Sequence, residues 1–194
     1  MNIFGGVCLT TAVDEVIQNY RKIALEEIEG RRTLREKVSN HRLTDLYTSN
    51  RPYFSSLSND DPKYVVLLRG MRYGHERTMG PMVANIWYQG GHRLGHAVVS
   101  SGRVKNLDDL KAFMIEHKIG LLDVLENSEN TIRLNLYECI ACSGIPNIGR
   151  SVCTFEAGLI AGVLERLTGR NLRVVEKYCH GLGYSFCGFE VLYI

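Results

Sequence analysis

The sequence predicts an α+β fold in which antiparallel strands pack with helices. Apolar residues recur at helical spacing through much of the N-terminal half, whereas residues 121–138 alternate apolar and polar side chains as half-buried strands do. A further helical pattern at 151–168 precedes a last pair of strands, so both kinds of element share the C-terminal half. The 194 residues are enough to bury a sizeable core.

The N-terminal third is expected to be helical. We predict an N-terminal extension over residues 1–60 and a main domain over residues 61–194. Within the extension, apolar side chains keep helical spacing over 11–29 and, more weakly, over 32–47. Residues 48–62 are rich in Ser, Asn, Asp and Pro, which indicates a linker or long loop. The extension is a candidate dimerisation element.

The main domain is expected to begin with a short buried strand over residues 64–68. A helix follows over 81–99, since Pro81 suits the first turn of a helix. Asn106 is expected to cap the next helix, because an asparagine side chain readily accepts hydrogen bonds from the first free backbone N–H groups.

The C-terminal part is predicted to form two hairpins with a helix between them. Strands over 121–126 and 131–138 flank a polar turn. The helix over 151–168 begins at a serine that can cap it and stops at a glycine. Strands over 172–179 and 184–194 flank a turn that contains two glycines.

Two faces of small residues are expected to let helices approach closely. Gly91 and Gly95 lie four residues apart on the helix predicted over 81–99, and Gly158 and Gly162 do so on the later helix. Together with the N-terminal extension, these faces predict a homodimer.

The composition argues against two classes of partner. The net charge is +2, from 23 basic and 21 acidic residues, which gives no electrostatic footprint for nucleic acid. No apolar run approaches the roughly 20 residues of a membrane span. The apolar stretch at 3–13 has no preceding Lys or Arg, so we do not interpret it as a signal peptide. We therefore expect a cytoplasmic protein, in which clustered cysteines are metal ligands or redox thiols rather than disulfides.

The cysteines near the C-terminus are the strongest chemical signal. Cys153, Cys179 and Cys187 together with Glu176 supply three thiolates and a carboxylate, which can close a tetrahedral zinc site. Glu176 precedes Cys179 by three residues, so on a straight strand the two would face opposite sides. Either the strand bends there or His180 takes the place of Glu176. Spacing alone also allows buried free thiols or a Cys179–Cys187 disulfide.

Two further pairs have alternative interpretations. Cys139 and Cys142 form a C-x-x-C, which fits a redox pair, part of a second metal or iron–sulfur site, or two small buried residues. His92 and His96 are one helical turn apart, a spacing that can bind a metal but also suits a polar helix face or a pocket wall.

The C-terminal residues also carry a family resemblance. Residues 138–189 contain E-C-x-x-C, V-C-x-F-E-A-G-x-x-A-G, V-x-E-x-x-C and G-x-x-x-C-x-F in this order. This pattern closely resembles the 4-vinyl reductase domain of archaeal hydrocarbon-binding proteins and of the sensor modules of aromatic-responsive bacterial activators. The resemblance covers about residues 63–194, and it implies an α+β fold related to transport-particle subunits and haem-NO sensor domains.

The resemblance implies one structural zinc held by Cys153, Glu176, Cys179 and Cys187. It thereby favours Glu176 over His180 and leaves the C-x-x-C pair outside the zinc ligands. It also implies a small hydrophobic ligand, hydrocarbon or aromatic-like, in a pocket near the zinc. The candidate lining residues are Trp87, His92, Phe113, Tyr137 and Phe155.

One departure concerns the kind of ligand. The phenol sensors of this family have aromatic residues four positions after the first ligand cysteine and two positions before the ligand glutamate. Here these positions hold Ala157 and Val174, which favours a different or bulkier apolar ligand.

The expected function is therefore non-enzymatic binding of a small hydrophobic ligand, in the manner of a sensor. One alternative is an enzyme or accessory factor in tetrapyrrole vinyl-group reduction, as the family name suggests. A second alternative is a scaffold or interaction protein that works through its surfaces.

Overall fold

The computed structural model describes residues 8–128 and 130–194. Within these residues the chain forms six helices and one four-stranded sheet, which confirms the predicted α+β class. Short 3₁₀ turns lie at Leu43–Tyr47 and His180–Leu182. The elements are α1 (Cys8–Ile28), α2 (Pro52–Leu57), α3 (Asp61–Met79), α4 (Met82–Ser100), α5 (Leu107–Glu116), β1 (Leu121–Asn127), β2 (Thr131–Tyr137), α6 (Thr154–Thr168), β3 (Leu172–Tyr178) and β4 (Cys187–Tyr193).

The sheet has the strand order β1-β2-β4-β3, and every neighbouring pair is antiparallel. Both predicted hairpins are present, and β2 and β4 join them at the centre of the sheet. Leu136 of β2 lies opposite Cys187 of β4, so the start of β4 is near the end of β2. This pairing brings the loop after β2 close to the loop before β4, in the region where the cysteines lie.

Helices α4 and α6 pack more closely than ordinary side chains would allow. A Cβ atom on Gly91 would lie 2.0 Å from the Phe155 carbonyl oxygen, and one on Gly158 would lie 2.1 Å from the Tyr88 carbonyl oxygen. The two small-residue faces are therefore in contact with each other within one chain. Our expectation that they serve a homodimer is wrong in this respect, because neither face is available to a second copy.

Helix α1 packs against the sheet and confirms the helix predicted over 11–29. The ring of Tyr20 stacks on that of Tyr137, with centroids 5.2 Å apart and planes inclined by 15°. Arg21 Nε donates to the Asp123 carboxylate at 2.9 Å, and the buried carboxylate also accepts from Arg21 Nη2. The N-terminal extension is thus attached to the sheet through both aromatic stacking and an ion pair.

Three predictions for the N-terminal half are wrong. The weak helix over 32–47 is irregular apart from one 3₁₀ turn, because its backbone bonds to distant loops instead. The expected linker at 48–62 contains α2 and the start of α3. The expected strand at 64–68 lies inside α3, where the Leu67 side chain is 62% exposed. A run of five apolar residues cannot separate a strand from a helix by its periodicity.

The later elements follow the prediction closely. Asn106 caps α5 through a hydrogen bond from the Asp109 N–H to its side chain, at 2.9 Å. Gly169 ends α6 in the left-handed conformation, with φ at 68°. Helix α6 begins after Cys153 rather than at the predicted Ser151 cap. Among the described residues, no helix combines the length and apolarity that a membrane crossing requires.

Candidate metal centre and adjoining cavity

Five cysteines form a buried cluster at the end of the sheet. Their side chains are fully buried, and none of the five forms a disulfide. Several elements contribute to the cluster, so the fold assembles it from separate parts of the chain. Cys139 and Cys142 lie in the loop after β2, Cys153 precedes α6, Cys179 follows β3, and Cys187 starts β4.

The sulfur atoms lie at the separations that a shared metal ion requires. The Sγ of Cys153 lies 3.2 Å from that of Cys142, 3.4 Å from that of Cys187 and 3.9 Å from that of Cys179. Four sulfurs around a zinc ion, with Zn–S bonds of about 2.3 Å, lie about 3.8 Å apart. The observed distances are close to this value, so the donor set fits a metal ion.

Two overlapping groups of four donors are present, each with its atoms within 4.8 Å of one another. The first group contains the predicted ligands, and the second replaces Glu176 and Cys179 by the C-x-x-C pair. Cys153 and Cys187 belong to both groups. The structure therefore places Cys139 and Cys142 in the same cluster as the predicted ligands, whereas the family resemblance leaves them outside it.

Glu176 reaches the cluster because β3 is irregular there. A register shift between Glu176 and Tyr178 inserts one extra residue into the strand, which is the bend that a shared site with Cys179 required. Glu176 Oε2 accepts a hydrogen bond from the Cys153 backbone N–H at 2.9 Å. Its Oε1 is buried and has no hydrogen-bond partner among the described residues. An oxygen in this condition is suited to a metal ion.

His180 has a different role from the one that it would have as a substitute ligand. It is absent from both donor groups. Its Nδ1 accepts from the Gly144 N–H at 3.4 Å, and its carbonyl accepts from Arg35 Nη2 at 2.9 Å. Burial, followed by the nearby Arg35 cation, lowers the pKa of His180 to about 4. The ring is therefore neutral at physiological pH and helps to hold the turn beside Cys179.

Buried arginines fix the loops that carry the cysteines. Arg69 Nε donates to the Ile140 carbonyl at 2.8 Å, and its Nη2 donates to the Ser143 carbonyl at 2.9 Å. Arg51 Nε donates to the Glu138 carbonyl at 2.8 Å. Arg69 and Arg51 thus satisfy backbone acceptors along the loop that contains the C-x-x-C pair. No sequence pattern indicates this role, because an isolated arginine is normally exposed.

Burial opposes ionisation of most of the cluster. It raises the pKa of the Cys142, Cys153 and Cys187 thiols well above the usual value, and it raises the pKa of the Glu176 carboxyl in the same way. A metal ion must displace protons from the groups that bind it, because thiolate and carboxylate are the binding forms. The buried Arg72 guanidinium interacts with the charge of Cys153 and offsets part of the resulting negative charge.

Two thiols of the cluster shift in the opposite direction. Burial opposes the ionisation of Cys139 and Cys179 as well, yet hydrogen bonds from the neighbouring thiols lower the pKa of both well below the usual value. Negative charge on the cluster is therefore concentrated at these two sulfurs. One of them lies in each group of four donors, so each group contains a thiol that is ready to bind a cation.

A cavity of about 300 Å³ adjoins the cluster. Its wall is mainly apolar and is formed by α3, α4, α5, the start of α6 and the loop after β2. Two buried polar side chains, Arg72 and Glu156, also line it. Arg72 Nε and Nη1 and Glu156 Oε2 have no hydrogen-bond partner among the described residues. Such a wall suits a mostly apolar ligand with a polar group.

Three of the five predicted lining residues face this cavity, namely Trp87, Phe113 and Phe155. The other two lie elsewhere. His92 hydrogen-bonds with Glu165 of α6, and Tyr137 stacks with α1.

The buried polar pair of the cavity wall is not among the predicted lining residues. Glu156 directly follows Phe155 and stands in the family motif, which is the available signal for it. Nothing in the sequence singles out Arg72, because it lies in a segment whose helix is itself mistaken for a strand and its flank.

Comparison with known proteins agrees with this architecture. The family model of the 4-vinyl reductase domain matches residues 132–192, which span β2 to β4 and contain the five clustered cysteines. The uncharacterized protein MJ1642 of Methanocaldococcus jannaschii is 42% identical over 87 residues, which are 45% of this chain and 53% of that protein. The chain therefore spans about half the length of this relative. MJ0150 of the same organism is 36% identical over 145 residues, which are 74% of this chain and 82% of that protein.

Two solved structures share the fold. The phenol-responsive sensory domain of the transcription activator PoxR, solved with phenol, has a TM-score of 0.55 at 15% identity over 66% of this chain and 74% of that one. A vinyl-4-reductase family protein from Methanocaldococcus jannaschii has a TM-score of 0.50 at 19% identity over 100% of this chain and 99% of that one. Given the match to MJ0150 and the family-model match across the cysteine cluster, the chain belongs to the 4-vinyl reductase domain family.

Proposed function

We propose that the protein binds a small, mostly apolar ligand without transforming it, and that a zinc ion in the cysteine cluster stabilises the binding domain. The observation that carries this proposal is a shared wall. Ile140 and Ala141 line the cavity, while Cys139 and Cys142 on either side of them belong to the cluster. One loop therefore contacts both the ligand space and the metal ligands.

This shared wall supports a sensor. A ligand that fills the cavity presses on Ile140 and Ala141, and the loop cannot move without displacing the flanking sulfurs. Arg69 holds the same loop through the Ile140 carbonyl. Ligand binding is thereby coupled to the stability of the cluster, and the phenol-responsive domain of PoxR, which shares the fold, is a precedent for ligand sensing.

Zinc is the ion that we propose for Cys153, Glu176, Cys179 and Cys187. Thiolate-rich tetrahedral sets select zinc over the hard cations. All four positions would be filled by protein, so bound zinc supplies structural cross-linking and leaves no position for substrate. The unpartnered Glu176 Oε1 favours this group over the one that contains the C-x-x-C pair.

The ligand is proposed to carry one polar group. The apolar side of the cavity accommodates a hydrocarbon or an aromatic ring, while the unpartnered atoms of Arg72 and Glu156 would orient a hydroxyl or carboxylate. A purely apolar ligand would leave these atoms unsatisfied, at a cost of about 1–3 kcal/mol for each.

A scaffold role is the second candidate, because α3 and α4 expose several large apolar side chains. Patches of this kind often mark interaction surfaces. The tetrapyrrole alternative and the homodimer stay predictions. The exposed residues are Tyr64, Val66, Leu67, Met71, Met79, Met82 and Ile86.

The test uses protein purified anaerobically without chelator and analysed by native mass spectrometry. We expect one zinc per chain and an additional organic mass that is lost on denaturation. Trp87 is the only tryptophan of the chain and lines the cavity, so its fluorescence reports titration with small aromatic and aliphatic acids, alcohols and hydrocarbons. Iron with sulfide would overturn the zinc assignment, and turnover of the ligand by the protein would favour the enzyme.

A cavity-filling variant provides the control. Val98 lines the cavity, so Val98→Phe should abolish the fluorescence response while zinc content is retained. Ile86→Phe adds a phenyl group to an exposed position of the same helix and should leave the response unchanged. Equal responses from both variants would show that the ligand binds outside this cavity.

A further inference from the structure

A second group of metal-binding side chains lies outside the cysteine cluster. His92 and His96 are one turn apart on α4, and Glu165 of α6 lies beside them. His92 Nε2 lies 2.6 Å from Glu165 Oε2, and His96 Nε2 lies 3.6 Å from the same oxygen. The three donor atoms all lie within 4.8 Å of one another. A single His–Glu hydrogen bond between two helices would not require the second imidazole to converge on the same oxygen.

The close contact of α4 and α6 holds these donors in place. A Cβ atom on Gly162 would lie 2.1 Å from the His92 carbonyl oxygen, and one on Gly95 would lie 2.6 Å from the Leu159 carbonyl oxygen. Neither helix can turn about its axis without a clash between backbones. The donors are therefore positioned by folding itself, which removes much of the ordering cost of binding an ion.

The group is incompletely satisfied and partly open. His96 Nε2 is buried, yet it makes no hydrogen bond with any described residue. The side chains of His92 and Glu165 are each 25% exposed, and that of His96 is 44% exposed. A metal ion would give His96 Nε2 a partner and would keep coordination positions open to water. Such a site exchanges its ion, unlike a closed site of four protein ligands.

The site is also separate from the cavity. Leu94 lies between the two histidines in sequence and lines the cavity, as does Val98. Because residues two apart on a helix point to different sides, the histidines face away from the cavity. Neither metal binding nor loss of the histidines should therefore depend on the ligand proposed for the cavity.

We propose that His92, His96 and Glu165 bind a divalent first-row transition-metal ion at an exchangeable site on the α4–α6 surface. Two imidazoles and one carboxylate suit zinc, nickel, cobalt or copper, whereas magnesium and calcium prefer sets composed of oxygen. The site is independent of the cysteine cluster and holds three protein ligands.

The test is calorimetric titration of the full chain, as purified with its resident metal, with Zn²⁺ and with Mg²⁺. We expect one additional Zn²⁺ per chain and no binding of Mg²⁺. His92→Ala, His96→Ala and Glu165→Gln should each weaken this additional equivalent by at least about tenfold, since even ligand-supporting residues contribute that much to metal affinity. His75→Ala removes an exposed histidine on α3 and should leave the titration unchanged.

Co²⁺ separates the two kinds of site, because thiolates give it intense charge-transfer absorption that imidazole and carboxylate do not. Co²⁺ at the additional site should show only ligand-field bands, and these should disappear in His96→Ala. Thermal melting of each variant checks that the fold is intact. Binding of the additional equivalent with thiolate absorption, or undiminished binding by a folded His92→Ala/His96→Ala double variant, would overturn the proposal.

Discussion

The Sγ atom of Cys142 lies 3.1 Å from that of Cys187, although the two residues are 45 positions apart in sequence. Cys153 lies close to both of them. The C-x-x-C pair is thus part of the cluster, and two groups of four donors share Cys153 and Cys187. Only the residues that are unique to each group can show which of them holds the metal.

Cys179→Ser and Cys142→Ser form a matched pair for this question. If zinc is held by Cys153, Glu176, Cys179 and Cys187, the first variant should lose zinc and stability, since binding of structural zinc is coupled to folding. The second should retain about one zinc per chain. Elemental analysis and thermal melting provide the measurement. Loss of zinc from Cys142→Ser with retention in Cys179→Ser would assign the metal to the other group.

Adjacent glycines on α4 predict opposite effects of one methyl group. Gly91→Ala would place a Cβ atom 2.0 Å from the Phe155 carbonyl oxygen and force α4 and α6 apart. We expect a loss of about 3 kcal/mol in the free energy of unfolding. Gly90 has no described atom within 4 Å of such a Cβ, so Gly90→Ala should add up to about 1 kcal/mol from helix propensity. Urea denaturation measures both, and equal effects would contradict the close contact.

Arg69→Met tests the support of the cysteine-bearing loop. Methionine keeps much of the side-chain volume but leaves the Ile140 and Ser143 carbonyls without their donor. Each unpaired buried carbonyl costs about 1–3 kcal/mol, so we expect a loss on the order of 4 kcal/mol together with weaker zinc retention. Arg93→Met, at a position on α4 outside the core, should change stability by less than about 0.5 kcal/mol. A stable Arg69→Met protein with full zinc content would show that the loop holds itself.

Removal of residues 1–60 should strongly destabilise the domain predicted over 61–194. The buried Glu138 carboxylate accepts hydrogen bonds from the Tyr20 hydroxyl at 2.6 Å and from the Tyr53 N–H at 2.9 Å, and both of these donors would be lost. We expect a fragment of residues 61–194 to unfold at a lower urea concentration than the full chain, by more than about 3 kcal/mol. Coincident unfolding curves would establish the fragment as an independent domain.

The C-terminal fold could be predicted because local patterns decide it. Alternation in β2, the caps of α5 and α6 and the glycines of the final turn all act within a few residues. The bend in β3 could be predicted as well, because Glu176 and Cys179 could share a metal only if the strand deviated. The register shift after Glu176 is the physical form of that bend.

Long-range contacts explain what could not be predicted. The backbone N–H of Arg35 bonds to the Gly183 carbonyl, and that of Val38 bonds to the Asn147 carbonyl, so the segment expected to be a helix is held by distant loops. The convergence of Cys142 on Cys187 arises in the same way, since an irregular loop carries one and a strand carries the other. Neither relationship leaves a periodic pattern in the sequence.

The complete burial of the five clustered cysteines makes them internal reporters of how the fold opens. An alkylating reagent can reach a thiol only while the surrounding structure is open, so its rate of modification reports how often that opening occurs. Cys153 precedes α6, Cys179 follows β3, and Cys142 lies in the loop after β2. Equal rates at these three positions would mean that the end of the sheet opens as one cooperative unit, whereas different rates would rank the segments by the order in which they detach.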